Sequence, residues 1–175
     1  MLRGASEALA HRCRVLTSVA GSARSLQALD AAIANRDIAH HMLALDWRTP
    51  GEFVAAITNH ARATGSPDLV LAWLHDDALG PRLAAALAST TTHCAFFQVR
   101  GSAAANPAEA PDSLLRDSAI PAAIDFHQII LGFHLEAHGS RWLHDEEICA
   151  GVLAAINHPQ SVTLVGTATP WSHRP

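Results

Sequence analysis

The stretch Ser66-Pro67-Asp68-Leu69-Val70-Leu71-Ala72-Trp73-Leu74-His75-Asp76-Asp77 decides how this chain folds. Pro67 and Asp68 interrupt regular structure ahead of it. Residues 69–74 are then apolar without a break, and His75-Asp76-Asp77 ends the run. A half-exposed strand alternates apolar and polar side chains. An unbroken apolar run of this length suits a strand buried on both faces, as in a parallel sheet. Ligands of such sheets bind beyond the carboxyl ends of the strands. His75, Asp76 and Asp77 are therefore expected beside any active site, although a core strand followed by a polar turn is the simpler account of His75 taken alone.

Downstream, Pro81 predicts the start of a helix with Leu83 and Leu87 one turn apart, and residues 92–99 read as a strand closed by Arg100-Gly101-Ser102. Residues 103–117 are rich in Ala and Pro and read as a loop with one short helix near Leu114. Residues 126–133 read as a strand and residues 136–140 as a loop. Asp145-Glu146-Glu147 then places negative charge at the positive end of a helix carrying Ile148, Val152 and Ile156. Pro159 ends that helix, residues 162–165 form a last strand, and residues 167–175 a tail.

Upstream, Leu2, Ala5 and Leu9 recur at helical spacing in a helix that runs to about Arg12. Residues 15–20 read as a strand, Gly21-Ser22-Ala23 as a turn, and Ser25 as the N-cap of a helix with Leu26, Leu29 and Ile33 on one face. Residues 38–45 form the next strand, closed by Asp46-Trp47. In Thr49-Pro50-Gly51-Glu52, Thr49 is the expected cap, Pro50 suits the first helical position and Glu52 completes a capping box. Phe53, Ile57 and Ala61 follow on one face, and Gly65-Ser66-Pro67 stops the helix. This succession of strand-helix units predicts one α/β domain over residues 1–175, a doubly wound parallel sheet with right-handed crossovers.

Composition narrows the function. A chain of 175 residues can bury a substantial core, and its net charge of −4 gives no general attraction to nucleic acid or to an anionic membrane. No apolar run approaches the ~20 residues that span a bilayer. The start has no apolar stretch of the signal-peptide kind, so a cytoplasmic location is expected. Cys13, Cys94 and Cys149 are odd in number and widely spaced, which predicts buried thiols in a reducing compartment. The chain contains no lysine and no tyrosine.

Several stretches resemble the short-chain dehydrogenase/reductase superfamily, a nicotinamide-dinucleotide-binding Rossmann fold. Residues 19–26 resemble the turn after its second strand, Leu43-Ala44-Leu45-Asp46 its third strand and terminal aspartate, and residues 67–75 its fourth strand. Ile129-Ile130-Leu131-Gly132-Phe133, then Ser140-Arg141-Trp142-Leu143, and Thr169-Pro170-Trp171 near the end resemble small atypical members. The resemblance implies NAD or NADP as cofactor, an unknown small molecule as the second partner, and oxidoreduction as the activity. It places Ser22 and Arg24 at the ribose, Asp46 and Trp47 at the adenine, Trp73 and His75 beside the dinucleotide, and Gly132 and Phe133 near the nicotinamide. Ser102 falls where the family carries its catalytic serine. Strand ends and turn geometry account for the same residues without a ligand.

Two departures cut against that activity. The family opens with a strand and a Gly-rich turn, and here Met1-Leu2-Arg3-Gly4 already resembles the residues after that turn. The expected strand order, 3-2-1-4-5-6, then lacks its central member, leaving two unpaired edges mid-molecule. Such a chain is expected to close the gap, recruit a partner strand, cover the edges as a homodimer or be unstable, unless it is truncated or Met1 is internal. The family's chemistry also needs a Tyr-x-x-x-Lys pair, and this chain has neither residue type. Arginine does not replace the lysine in shuttling protons near neutral pH. Impaired cofactor binding without standard hydride transfer is therefore expected, with a non-catalytic nucleotide-binding or protein-interaction module as the alternative.

The 12 histidines supply no strong metal motif. Adjacent His40 and His41 on a strand point to opposite faces. His134 and His138 flank Glu136 in a predicted loop. His75 with Asp76 and Asp77 is a conceivable ligand set. Ser102, His75 and Asp76 are a conceivable hydrolase trio that lacks the Gly-x-Ser-x-Gly elbow. No metal site is assigned.

Overall fold

The computed structural model of the protein describes residues 1–101 and 120–175. Ser102 and the loop and short helix expected over residues 103–117 lie outside the described residues. The elements run α1 (Arg3–Leu9), β1 (Val15–Ala20), α2 (Ala23–Ile33), β2 (Ala39–Ala44), α3 (Pro50–Thr64), β3 (Leu69–Trp73), α4 (Leu79–Leu87) and β4 (Cys94–Gly101). After these come β5 (Ile124–Leu131), β6 (Phe133–Glu136), β7 (Gly139–Trp142), α5 (Asp145–Asn157), β8 (Val162–Val165) and a single 3-10 turn (Trp171–His173).

β3, β4, β5 and β8 form a four-stranded parallel sheet in that order, while β1 and β2 form a separate parallel pair. β3, expected from its unbroken apolar run to be buried on both faces, instead ends the sheet and is mostly half-buried. β4 and β5, at the centre, are buried on both faces although Gln98, Arg100, His127 and Gln128 interrupt their apolar residues. Strand alternation divides their side chains between two cores. Phe96 of β4 and Phe126 of β5 join Phe53 of α3 and Leu79, Leu83 and Leu87 of α4 on one face. Phe97 and Val99 of β4 and Ile129 and Leu131 of β5 join Ala5 of α1 and Ile148 and Val152 of α5 on the other. Helices thus cover both faces of a parallel sheet, the doubly wound arrangement expected from the sequence. A third, small cluster of Ala10, Leu29 and Ile33, with Leu16 and Ile38 against it, ties α1 and α2 to the β1–β2 pair.

Local corrections have local causes. Ser22, not Ser25, caps α2: its hydroxyl accepts the Ser25 N–H at 3.4 Å. The expected capping box at α3 does not form, because the Thr49 hydroxyl turns back to donate to the Asp46 carbonyl at 3.0 Å. Pro50 still occupies the start of that helix. α4 begins two residues before Pro81, at Leu79. The strand read over residues 126–133 is broken at Gly132, so that Phe133 starts a new one. The loop read over residues 136–140 is the tip of the antiparallel β6–β7 hairpin.

That hairpin fixes the start of α5. Arg141 donates to both Glu147 carboxylate oxygens at 2.7 and 2.8 Å, and Glu147 also accepts the His144 backbone N–H at 2.8 Å. These bonds to the ionised form, led by the guanidinium, hold the Glu147 carboxyl at about 2, below its ordinary 4.5. A depressed carboxyl stabilises the fold above its unfolded value and loses that contribution as pH falls toward the folded one. Glu147→Gln is therefore expected to flatten the decline in stability between pH 4.5 and about 2, measured by urea melts at each pH, and a slope identical to wild type would refute it.

α5 crosses β8 at a close contact that only glycine allows. A side chain at Gly151 would place its Cβ 2.3 Å from Cγ1 of Val165. Gly151→Ala is expected to destabilise by about 1–3 kcal/mol through overpacking. In the Gly151→Ala, Val165→Ala double variant the loss should be smaller than the sum of the two single losses, because the methyl that clashes has been removed. Additive losses in chemical denaturation would exclude the contact.

Candidate functional site

Between the two sheets lies a cleft of about 1710 Å³, lined along its length by β1 and β3. Its carboxyl-end mouth receives the residues that follow three different strands. Arg24, in the first turn of α2, is exposed and lines it. Trp47, after β2, and Trp73, the last residue of β3, line it half-buried. His75, just beyond β3, is exposed there, its ring tilted 48° to that of Trp47 with centroids 5.3 Å apart. The contact joins the end of β2 to the end of β3. Strand termini deliver these side chains because each apolar run ends at the sheet's rim, where polar groups meet water.

The remaining expected residues are engaged elsewhere. Ser22 caps α2 and is absent from the cleft lining. Asp46 holds Arg48 through both oxygens, with Nη2 at 2.8 Å and Nε at 3.0 Å, and accepts the Arg48 backbone N–H at 2.9 Å. The guanidinium keeps the Asp46 carboxyl below its usual range, and the carboxylate in turn raises the Arg48 pKa. Gly132 and Phe133 lie away from the cleft. Gly132 is packed so closely by the Thr167 backbone that a Cβ would stand 2.1 Å from its carbonyl oxygen. Phe133 is buried and exchanges backbone hydrogen bonds with Thr167 at 2.8 and 2.9 Å.

Of the polar trio after β3, only His75 is free to face the mouth. Asp76 accepts the Ala78 N–H at 3.0 Å, turning the chain into α4. Asp77 grips Arg100 of β4 at 2.7 and 3.0 Å, and that guanidinium is 6% exposed. Its backbone carbonyl also accepts from the buried Gln98 amide at 3.1 Å. These bonds pin the loop after β3 to the neighbouring strand. Among the described residues, no group of three His, Cys, Asp or Glu converges to hold a metal ion.

One constellation escaped the sequence reading. His40 of β2 bonds Asp30 of α2 through Nδ1 at 2.8 Å and Ser18 of β1 through Nε2 at 3.0 Å. This is the chain of contacts of a nucleophile, base and acid. Ser18 is nevertheless mid-strand and buried, and the His40 side chain is only 7% exposed, so no reactant reaches the hydroxyl. The trio clamps α2 onto its strand pair. Only the β1–β2 register brings residues 18 and 40 together, and nothing in their spacing signals it. His41 points the opposite way, as alternation requires, to His60 at 5.0 Å between ring centroids.

No family model and no curated protein matches this sequence. Its structure is similar to that of a short-chain dehydrogenase from Sphingobium yanoikuyae in complex with NADPH. The TM-score is 0.68 at 17% sequence identity, over 97% of this chain and 85% of the other. The likeness covers both the β1–β2 pair and the four-stranded sheet. The fold of this protein is therefore a Rossmann-like, short-chain-dehydrogenase fold.

Proposed function

We propose that this protein is a dinucleotide-binding domain that takes NADP(H) at the mouth of the cleft and does not carry out the hydride transfer usual for its fold. The reading rests on one observation above all. Arg24, Trp47, Trp73 and His75 come from the ends of three strands and line one cavity at the carboxyl end of the sheet. That is where open parallel sheets bind their ligands.

Each residue suits one part of such a ligand. Arg24 presents a guanidinium that matches a 2′-phosphate, and no carboxylate in Gly21-Ser22-Ala23-Arg24 would bond a bare 2′-hydroxyl instead. Trp47 and His75, their rings tilted 48° to one another, offer aromatic faces to the adenine, and Trp73 lines the same cleft. Asp46 would reach the base only by releasing Arg48. Ser22, Gly132 and Phe133 lie outside the cleft lining and take no part in this reading. A chain with no tyrosine and no lysine has no phenolate–ammonium pair to move the proton that accompanies hydride transfer. A second reading, an interaction module without nucleotide, is favoured by the uncovered strand edges inside the cleft.

Fluorescence of Trp47 and Trp73 provides the test. NADPH should quench it more tightly than NADH. Arg24→Ala should weaken NADPH by about tenfold, equivalent to 1.4 kcal/mol, and leave NADH unchanged. Equal affinities for the two cofactors, or an Arg24→Ala variant indistinguishable from wild type, would discard the assignment in favour of the second reading.

A further inference from the structure

We propose that His127 is a pH-operated clasp: its doubly protonated ring fastens β5 to the turn that leads into β8, and loss of one ring proton slackens that tie. The balance of donors and acceptors carries the inference. Nδ1 stands 2.9 Å from the Gln160 backbone carbonyl, and Nε2 stands 3.1 Å from Oδ2 of Asp125. A carbonyl and a carboxylate only accept, whereas a neutral imidazole has one N–H and one lone pair. With the proton on Nδ1, the lone pair of Nε2 faces a carboxylate oxygen. With the proton on Nε2, the lone pair of Nδ1 faces a carbonyl. Only the imidazolium suits both neighbours at once.

The fold supplies those neighbours. Asp125 and His127 are two residues apart on one strand and so share a face. Gln160 is delivered by the entry to β8, where the Gln128 N–H donates to the Ser161 carbonyl at 2.9 Å. The His127 ring lies on Phe97 of β4, with centroids 4.6 Å apart and planes 18° from parallel. An aromatic face carries negative charge density and favours a cation above it. The His127 side chain is 7% exposed, and Nε2 is sealed from solvent with no hydrogen bond. A neutral ring therefore leaves a buried acceptor unpaired, at a cost in stability.

At this end of the sheet α1 and the turn after it bring His11, Arg12 and Cys13, α5 is closed by His158, and Asp68 precedes β3. Arg12 is bound to Asn157 at 2.6 Å. Among the described residues Asp125 is the one acid paired with the His127 ring. Asp125 is 58% exposed, so its carboxylate is free to turn into water once the ring is neutral. The bond to Gln160 then falls from a charge-assisted one to a neutral one, roughly half as strong. The inference concerns the amino end of the sheet and does not rest on dinucleotide binding.

The test follows the intact chain, without cofactor, by ring-nitrogen NMR and amide exchange from about pH 5 to about pH 8. Both ring nitrogens of His127 should carry protons at the acid end. As the ring titrates, the protection factors of Gln128 and of β8 should fall about fivefold, the size of one net hydrogen bond, while those of β3 stay level. Asp125→Asn, at an exposed position, should move the midpoint of the ring's titration to lower pH. His127→Gln, which can still donate to Gln160, should abolish the pH dependence of β8. A midpoint unmoved by Asp125→Asn, or β8 protection that does not follow the ring's titration, would overturn the proposal. Those two readings decide it even where His127→Gln does not fold.

Discussion

The β1–β2 pair and the four-stranded sheet share no backbone hydrogen bond, and everything else depends on how the gap between them is bridged. In a continuous sheet a ladder of amide bonds sets the spacing. Here helices do it, by packing and a few polar contacts such as Arg12 to Asn157 and Thr17 to His60. α1 lies against α5 on one face, and α3 lies against α4 on the other. Small residues make the first contact close. Ala5 is fully buried, and a Cβ on Gly4 would come within 3.2 Å of the Cys149 sulfur. The Cys149 thiol donates to the Met1 carbonyl at 3.1 Å, and the amino terminus pairs with Asp145 at 3.5 Å. Apolar burial is non-directional, so it can hold two sheets together, but among the described residues their facing amides have no strand partner.

Most of that architecture was legible in the sequence because it rests on long apolar runs. Residues 69–74 and 92–99 announced parallel strands, though the first is a half-buried edge rather than a strand buried on both faces, and Asp145-Glu146-Glu147 announced the start of α5. What escaped was decided by competition for a few polar atoms. Thr49 had the sequence of a cap, yet its hydroxyl found the Asp46 carbonyl closer. Ser22 and Ser25 both had the chemistry to cap α2, and backbone geometry chose the first. The β6–β7 hairpin is short and exposed, with little apolar pattern to reveal it.

The candidate site divides along the same line. Arg24, Trp47, Trp73 and His75 were visible because they sit at the ends of readable strands, and strand ends share a rim. Asp46 and Asp77 were visible as residues but not as ion pairs, since their partners are fixed by turn geometry and by strand neighbours. The Ser18–His40–Asp30 trio shows the converse. Three residues in hydrogen-bonded sequence form the contacts of a hydrolytic centre, and burial makes them a clamp. Fold and constellation each suggest a chemistry, but accessibility and the residues actually present decide it.

The small third cluster around Leu29 and Ile33 has a consequence for motion. It is separate from the two cores that grip the larger sheet, and α1, α3 and the chain connections are what tie its layer to them. The β1–α2–β2 layer is thus a cooperative unit of its own, with fewer buried apolar groups than its neighbour. Such units open below the global unfolding free energy. Native-state exchange in low denaturant would resolve it as a separate isotherm: this layer swings open as a body while the four-stranded sheet stays shut, and the width of the cleft is a fluctuating quantity.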